Sequence, residues 1–251
     1  MTQPLGAKPQ HTKLHPGPGF RIRYNSARPD SKTINGFMDF ETPEISDLMN
    51  RLYTMHTAIK PMTHPDLRVI GPACTVKCFP GDNLMVHKAL DIAAPGDVIV
   101  VDTSSSTMTA VLGDTISMKA RHRGIAGFVI DGLIRDLPAV LRLGNFPVFA
   151  RGTTPIGPLQ RGPGEVNHPV SVGGIVVMPG DLIVGDLNGV VVVPREIADD
   201  LLARLIARGP AESAYLDAVA RGEFSNAWVD NLLDEAGITM PVLPENPAGR
   251  Q

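Results

Sequence analysis

The chain is poor in the residues that mark several common classes of protein. Its 251 residues include two cysteines and 5% aromatic residues, and the formal net charge is −3. Two cysteines cannot form a disulfide framework or supply a four-thiolate zinc site. The small negative charge gives no general attraction to nucleic acid or anionic membranes. No apolar run approaches the roughly 18 residues of a membrane-spanning helix, so we expect a cytoplasmic protein.

The two cysteines, Cys74 and Cys78, lie close together in the segment CTVKC. On a β-strand, four residues span about 13 Å, which is too far for a disulfide. We therefore expect two reduced thiols on one buried face of a strand, as suits a reducing compartment.

Glycine and proline are abundant, with 25 and 23 residues, while 43% of the chain is hydrophobic and 20% is charged. This composition is typical of a globular protein with many turns. Apolar periodicity predicts a helix that begins with Thr42 as N-cap, an amphipathic helix over Asn83–Ala93 and helices after Pro194 that Pro210 separates. Apolar and β-branched runs predict the strands Arg68–Ile70, Ala73–Phe79, Val98–Val101, Phe128–Ile130, Pro147–Ala150, Ile175–Val177, Leu182–Val184 and Val190–Val193.

The sequence predicts three regions. Residues 1–40 are read as an N-terminal arm that is either loose or ordered on a neighbouring subunit, because they are rich in proline, glycine and basic side chains. Residues 41–208 form the catalytic domain in this interpretation. Residues 209–251 form a C-terminal helical extension.

The stretch from Gly113 to Asp136 carries the chemistry. A helix that doubles back into a strand brings its first residue and the residues after the strand to the same end of the unit. Asp114 is therefore expected near Arg135 and Asp136, although twenty residues separate Asp114 from Arg135. The amides of Thr115 and Ile116, at the helix N-terminus, are free to hold an anion. Together these groups can hold a 2-oxo acid on a divalent metal.

The chain resembles the RraA-like family, which includes the class II 4-hydroxy-4-methyl-2-oxoglutarate/4-carboxy-4-hydroxy-2-oxoadipate aldolases. The resemblance runs from about Thr42 to Pro194. It rests on the motifs GDN (81–83), PGDVIVVD (95–102), GD (113–114), VIDGLIRD (129–136), FPVFARG (146–152), GPGEVN (162–167) and PGDLIVGDLNGVVVVP (179–194). It implies an α/β fold, a swivelling-type α/β/β/α sandwich, assembled as a homotrimer or homohexamer with its active site between subunits.

The resemblance also implies roles for individual residues. Asp136 is expected to bind Mg²⁺ or Mn²⁺, with waters completing the shell, and Arg135 to contact the pyruvyl part of a 2-oxo acid substrate. The backbone from Gly113 to Ile116, including Thr115, is expected to hold the substrate carboxylate. Asp114 is expected to hydrogen-bond a water beside the cation and to take part in catalysis.

The implied reaction is cleavage of a 4-hydroxy-2-oxo acid to pyruvate and a carbonyl product, with oxaloacetate decarboxylation as a related activity. Three points stay open. Some relatives inhibit a ribonuclease without chemistry, and a lyase acting on another oxo or sugar acid fits the same residues. Glu212 is a weak candidate for a glutamate donated by a neighbouring subunit. We interpret His87 as a packed or surface histidine, and Arg121, His122 and Arg123 as a solvated helix face.

Overall fold

The computed structural model describes residues 18–238. In this part of the chain there are thirteen strands, seven α-helices and two short 3₁₀ helices. The strands are β1 (Lys60–Pro61), β2 (Val69–Cys78), β3 (Val98–Asp102), β4 (Ala110–Leu112), β5 (Gly127–Asp131), β6 (Leu133–Ile134), β7 (Val148–Ala150), β8 (Gly152–Thr153), β9 (Gly164–Val166), β10 (Val170–Val172), β11 (Ile175–Val177), β12 (Leu182–Asp186) and β13 (Gly189–Val193). The α-helices are α1 (Ser31–Gly36), α2 (Thr42–Leu48), α3 (Leu84–Ile92), α4 (Asp114–His122), α5 (Leu137–Leu141), α6 (Ala198–Ala220) and α7 (Ala227–Glu235), and the 3₁₀ helices are Phe37–Asp39 and Arg195–Ile197.

An eight-stranded sheet forms the body of the fold. Its order is β1-β7-β5-β3-β2-β12-β13, and β9 pairs with the end of β2. The central pairs β2–β3, β3–β5 and β5–β7 are parallel, whereas β12 runs antiparallel to both β2 and β13. Parallel neighbours require crossover connections, and α3 and α4 provide two of them. The prediction of an α/β fold with C-terminal helices is confirmed.

Both faces of the central strands are buried, which explains why they read as continuous apolar runs. In β3, Ile99 and Val101 pack into one apolar cluster with residues of α3 and α4. Val98 and Val100 point to the opposite face and join a second cluster with β10 and β11. The alternation along one strand therefore supplies two cores.

A three-stranded parallel sheet, in the order β4-β6-β8, lies beside the main sheet. In its register Leu112 lies opposite Ile134, and Ile134 lies opposite Thr153. Strand β4 is followed by α4 and strand β6 by α5, with one or two residues between. Because parallel strands end at the same edge, the two helices begin side by side.

The predicted strands Arg68–Ile70 and Ala73–Phe79 are a single strand, β2. Pro72 lies between the two predicted ranges and cannot donate a ladder hydrogen bond. Pro72 lies where β2 changes neighbours, since it pairs with Leu182 of β12 and the pairing with β3 begins only at Ala73. The missing N–H therefore breaks no bond to β3.

Helix α2, which was predicted to have Thr42 as its N-cap, begins one residue earlier than predicted. Thr42 is its first residue and Glu41 is the N-cap, in a reciprocal capping box with Glu44. Thr42 instead bonds to Asp186, through its backbone N–H at 2.8 Å and its hydroxyl at 2.7 Å.

Residues 18–40 of the predicted N-terminal arm are ordered against their own chain, so they are not loose, and their contact with a neighbouring subunit stays a prediction. The N–H of Arg23 donates to the carbonyl of Val166 at 3.1 Å, and Arg28 forms an ion pair with Asp97 at 2.7 Å. Residues 1–17 lie outside the described residues, as do residues 239–251 of the C-terminal extension.

The chain divides after Leu205 into two compact units. Pro210 does not separate two helices as predicted, because α6 continues through it. Proline removes one helical N–H, yet the flanking turn keeps its geometry, and Arg208 pairs with Glu212 at 3.0 Å across it. The predicted boundaries at residues 40 and 208 stay predictions. Among residues 18–238, no helix combines the length and apolar character needed to cross a membrane.

Candidate functional site

A cavity of about 220 Å³ lies at the edge where α4 and α5 begin. Its wall includes all six residues predicted for the site, namely Gly113, Asp114, Thr115, Ile116, Arg135 and Asp136. The remaining wall residues are Asn83, His87, Leu112, Pro158 and Gln160. The structure thus brings together the two sequence segments that the spacing predicted to meet.

The first segment turns sharply from β4 into α4. Gly113 has an extended backbone and is the N-cap of the helix. Its carbonyl accepts hydrogen bonds from the N–H of Ser117 at 3.1 Å and from the Ser117 hydroxyl at 2.8 Å, which fix the first turn. Asp114 is therefore the first helical residue, where the positive end of the helix dipole favours a carboxylate.

The predicted anion nest is half occupied by the protein itself. One oxygen of Asp114 accepts the N–H of Thr115 at 2.6 Å and the Thr115 hydroxyl at 3.1 Å. Within residues 18–238 the N–H of Ile116 has no hydrogen-bond acceptor. Ile116 therefore offers the free amide, whereas the amide of Thr115 becomes available only if Asp114 turns away.

The second segment leaves β6 with Arg135 and Asp136. The N–H of Arg135 donates to the carbonyl of Leu112 at 2.9 Å, which ties the segment to β4. Asp136 adopts the left-handed backbone conformation, with φ 56° and ψ 32°, which is uncommon for a residue other than glycine. This conformation turns the chain into α5, because the Asp136 carbonyl accepts the N–H of Ala139 at 2.8 Å.

Arg135 and Asp136 form a contact that leaves both side chains open to a ligand. Nε of Arg135 lies 3.3 Å from Oδ2 of Asp136, and each side chain is 45% exposed. An ion pair with this exposure contributes little stability, so neither group is committed to holding the fold. The guanidinium keeps further donors for an anion, and the carboxylate keeps a free oxygen.

Two glycines let the backbone approach these side chains closely. A Cβ built on Gly113 would collide with Oδ2 of Asp136 and would lie 3.0 Å from Cγ of Arg135. A Cβ on Gly157 would lie 2.6 Å from Nη1 of Arg135. The position of the guanidinium therefore depends on the absence of side chains at both positions.

Asn83 and His87 also belong to the cavity wall, and the sequence analysis gave neither a role there. Nδ2 of Asn83 donates to the carbonyl of Val111 at 2.8 Å, while its Oδ1 is buried without a partner in the described part of the chain. His87 was interpreted as a packed or surface histidine, and the structure places it half-buried in the wall. Burial and, to a smaller extent, the charge of Lys119 lower the pKa of His87. The i, i+4 spacing of Asn83 and His87 at the start of a predicted helix places both on one helix face, and this spacing was the sequence signal for their shared location.

The turn-rich passage after β8 lies at the mouth of the site, where Pro158 and Gln160 line the cavity. The carbonyl of Ile156 accepts the N–H of Ala110, which fastens the loop to the first residue of β4.

The oxygen atoms of the cavity suit a hard divalent cation. Among the described residues, Asp114 and Asp136 are the carboxylates that line it, and Asn83 adds an amide oxygen without a partner there. Among residues 18–238, no group of three or more histidine, cysteine, aspartate or glutamate side chains is close enough to form a metal cage. Mg²⁺ commonly uses one or two carboxylates and keeps several waters, so this donor set fits Mg²⁺ better than a fully ligated zinc site.

Comparison with known proteins identifies the family. The family model described as "RraA-like: Aldolase/RraA" matches residues 42–192. The chain belongs to the RraA-like family. The resemblance stated in the sequence analysis is thereby confirmed, and its limits of Thr42 and Pro194 agree closely with the matched range.

Curated relatives and solved structures agree with this assignment. A protein of Halalkalibacterium halodurans named "Putative 4-hydroxy-4-methyl-2-oxoglutarate aldolase" is 45% identical over 171 residues, which cover 68% of this chain and 80% of the relative. A protein of Hahella chejuensis with the same name is 35% identical, covering 64% of this chain and 97% of the relative. Streptomyces coelicolor RraAS2, described as an unusual member of the RNase ES inhibitor RraA protein family, has a TM-score of 0.70 at 30% identity. The match covers 76% of this chain and 98% of that one, which confirms the RraA-type fold.

Proposed function

We propose that the protein is a divalent-metal-dependent lyase that cleaves a 4-hydroxy-2-oxo acid to pyruvate and a carbonyl product. The observation that carries the proposal is one cavity in which a helix N-terminus with a free amide, a guanidinium and two carboxylates meet. The curated relatives named as aldolases support the reaction class.

The first step is binding of the 2-oxo acid end of the substrate. Its carboxylate accepts a hydrogen bond from the free N–H of Ile116, and the positive end of α4 stabilises its negative charge. Arg135 donates to the oxygens of the same pyruvyl unit, and its planar guanidinium orients them. Asp136, with waters, would hold Mg²⁺ or Mn²⁺, which when bound supplies a Lewis acid near the 2-oxo oxygen.

Bond cleavage requires removal of the C4 hydroxyl proton. A water or hydroxide hydrogen-bonded to Asp114 takes this proton, and the C4 oxygen becomes the carbonyl of the leaving product. The electron pair of the C3–C4 bond passes to the pyruvyl part, which becomes an enolate. The enolate then gains a proton at C3 and is released as pyruvate. The Arg135 guanidinium contacts the oxygen where negative charge grows, so it stabilises the transition state more than the ground state.

Oxaloacetate decarboxylation follows from the same arrangement. Loss of CO₂ from oxaloacetate breaks the bond between C3 and C4 and leaves the same pyruvate enolate. The groups that stabilise the enolate are unchanged, and no C4 proton needs to be removed. We therefore propose oxaloacetate decarboxylation as a second activity, and one that depends less on Asp114.

The test is pyruvate release by the purified protein in the presence of Mg²⁺. The panel contains several 4-hydroxy-2-oxo acids, oxaloacetate and oxo derivatives of sugar acids, because another oxo or sugar acid is the main alternative substrate. We expect Asp136→Ala to abolish metal-dependent turnover. We expect Arg135→Ala to lower it by about 10²- to 10³-fold, the range for loss of a donor to a developing oxyanion.

Matched substitutions separate the site from the surface. Asp66→Ala and Arg142→Ala remove one exposed charge of each sign from positions outside the cavity. Both should retain the wild-type rate, and all four variants should show wild-type thermal unfolding within a few degrees. Unchanged rates in both Asp136→Ala and Arg135→Ala would refute the proposed function.

A second candidate function is protein inhibition of a ribonuclease. It is favoured by the solved structure of Thermus thermophilis RraA, described as an RNA-processing inhibitor, which has a TM-score of 0.57 at 31% identity and covers 62% of this chain and 93% of that one. A stable complex with a ribonuclease, together with no pyruvate from any substrate, would favour this function.

We also propose that the protein assembles as the homotrimer or homohexamer that the family resemblance implies. Sedimentation velocity measures the oligomeric state directly.

A further inference from the structure

A second cavity, of about 530 Å³, lies at the end of β2, between the N-terminal segment and β9. Five of its wall side chains come from three separate segments, namely Pro18 and Arg21, Lys77 and Phe79, and Glu165. Among the described residues, none lines both this cavity and the candidate site. The volume is in the range of small-molecule sites. We call this second cavity the arm cavity.

Hydrogen bonds hold the N-terminal wall of the arm cavity in place. The N–H of Gly164 donates to the carbonyl of Gly19 at 2.6 Å. The N–H of Gly19 in turn donates to Oε1 of Glu165 at 2.8 Å. This wall precedes the matched range 42–192, so the arm cavity depends on a segment outside the family domain. The cavity is thus formed before a ligand arrives, as most ligand sites are.

Much of the wall of the arm cavity is apolar and stiff. The exposed ring of Phe79 lies there with three proline rings, those of Pro18, Pro80 and Pro163. Proline loses no rotamer freedom when a ligand covers it, and it has no backbone N–H to leave unsatisfied. An aromatic pair with Phe79 adds to the energy of area burial, whereas a flexible alkyl chain loses freedom when it is ordered. The apolar wall therefore favours an aromatic ring.

Two cations lie at the surface of the arm cavity, above their acidic partners. Nζ of Lys77 lies 2.7 Å from Oδ2 of Asp102. Nε and Nη2 of Arg21 donate to the two oxygens of Glu165 at 2.6 and 2.9 Å. The side chains of the two cations are 42% and 52% exposed, whereas those of Asp102 and Glu165 are 2% and 13% exposed. The cavity surface therefore presents the positive end of each ion pair.

The hydrogen-bonding groups that remain free on these side chains are donors. The ammonium of Lys77 has three N–H groups, of which one bonds to Asp102 and one to the hydroxyl of Ser104 at 3.3 Å. Nη1 of Arg21 has no acceptor within the described part of the chain. Both oxygens of Glu165 already accept hydrogen bonds. A carboxylate suits these donors better than a neutral head group does, because charge-assisted hydrogen bonds are about twice as strong.

We propose that the arm cavity binds an aromatic carboxylate, whose ring packs against Phe79 and the prolines and whose carboxylate accepts hydrogen bonds from Lys77 and Arg21. Because Arg21 and Lys77 belong to different segments, the bound acid links the N-terminal segment to the sheet. The site is separate from the cavity of the proposed reaction, so it does not depend on the protein being a lyase.

The experiment is calorimetric titration in Mg²⁺-free buffer with three probes. 2-Naphthoate carries both features, 2-naphthamide replaces the carboxylate by a neutral group, and octanoate replaces the ring by a flexible chain. 2-Naphthoate should bind about 5- to 10-fold more tightly than 2-naphthamide, the range for two partly exposed charge contacts. It should bind about 3- to 10-fold more tightly than octanoate, which makes no aromatic pair.

Two substitutions test the two parts of the arm cavity, each with a matched control. Phe79→Leu should weaken binding of 2-naphthoate by about 3- to 10-fold. Phe224→Leu should leave it unchanged, because Phe224 is equally exposed and lies outside the cavity. Arg21→Gln should reduce the preference for the acid over the amide to about two- to threefold, since Lys77 remains. Arg23→Gln removes the same charge two residues later, outside the cavity, and should keep the wild-type preference.

Arg135→Ala shows which cavity holds the probe, because the candidate site also contains a guanidinium that can bind a carboxylate. The Kd of 2-naphthoate should be unchanged in this variant. Loss of binding in Arg135→Ala would place the probe in the candidate site and overturn the proposal. No binding by the wild type, an unchanged Kd in Phe79→Leu, or equal affinity for the acid and the amide would also overturn it. Octanoate binding as tightly as 2-naphthoate would overturn the aromatic class of ligand.

Discussion

The substitution Gly113→Ala tests the geometry of the site by adding a single methyl group. The backbone at position 113 is extended, so alanine is compatible with its conformation. The new Cβ would nevertheless collide with Oδ2 of Asp136 and would lie 3.0 Å from Cγ of Arg135. Both side chains must move, and both are among the groups proposed to act on the substrate.

The expected effect on activity is large, and the effect on stability is small. Relieving the collision requires the Asp136 carboxylate to shift by roughly 1 Å, and a displacement of that size costs about 10²-fold in rate. Each displaced side chain is 45% exposed and can relax into solvent. We therefore expect a loss of about 1 kcal/mol in the free energy of unfolding, or about 2–4 °C in Tm.

The assay compares kcat/KM for pyruvate release in Mg²⁺ buffer with thermal unfolding of the same preparation. Gly209→Ala is the matched control, because a Cβ there meets no atom within 4 Å and the residue lies inside a helix. It should keep wild-type activity and gain up to about 1 kcal/mol of stability. A folded Gly113→Ala protein with wild-type kcat/KM would refute this prediction, because activity would then not depend on the present positions of the Asp136 and Arg135 side chains.

Two further predictions concern groups that titrate. Burial raises the pKa of Cys74 and of Cys78 to about 12. Neither thiol should therefore react with a disulfide reagent at pH 8 in the folded protein, and both should react after unfolding; fast labelling of native protein would contradict this. Burial is also the main cause that lowers the pKa of His87 and His168 below the ordinary value of 6.5. The folded state then binds fewer protons than the unfolded state just below pH 6.5. The free energy of unfolding should therefore fall as the pH drops from above 6.5 through 6, and it should fall less in His87→Asn. Denaturant titration at several pH values measures this.

The sequence predicted the fold well where one pattern determined the structure. Strands β3 and β5 are apolar on both faces, and such a run is a buried parallel strand when turns flank it closely. The N-terminus of α4 was predicted correctly because Asp114 follows a glycine that can turn the chain. These features depend on local composition, which a single sequence contains.

The rest depends on contacts that local patterns do not encode. Residues 20–24, FRIRY, alternate as a strand does, but the alternation does not say what they pair with, and the structure orders them along β9 by bonds such as that from Arg23 to Val166. Pro210 lies within α6 because the helix tolerates the loss of one N–H there. Asn83 and His87 line the site because α3 packs against α4, and that packing is a contact between distant segments.

The twenty-residue spacing between Asp114 and Arg135 has a physical cause in matched lengths. The nine residues of α4 rise about 13 Å, and the five residues of β5 return about 16 Å in the opposite direction. The chain therefore comes back to the edge from which it started. The short strand β6 then fixes the result, because Ile134 pairs with Leu112 and the residues that follow each strand must be neighbours. The register of β4 and β6, rather than the number of residues between them, is thus what holds the two carboxylates and the guanidinium in one cavity.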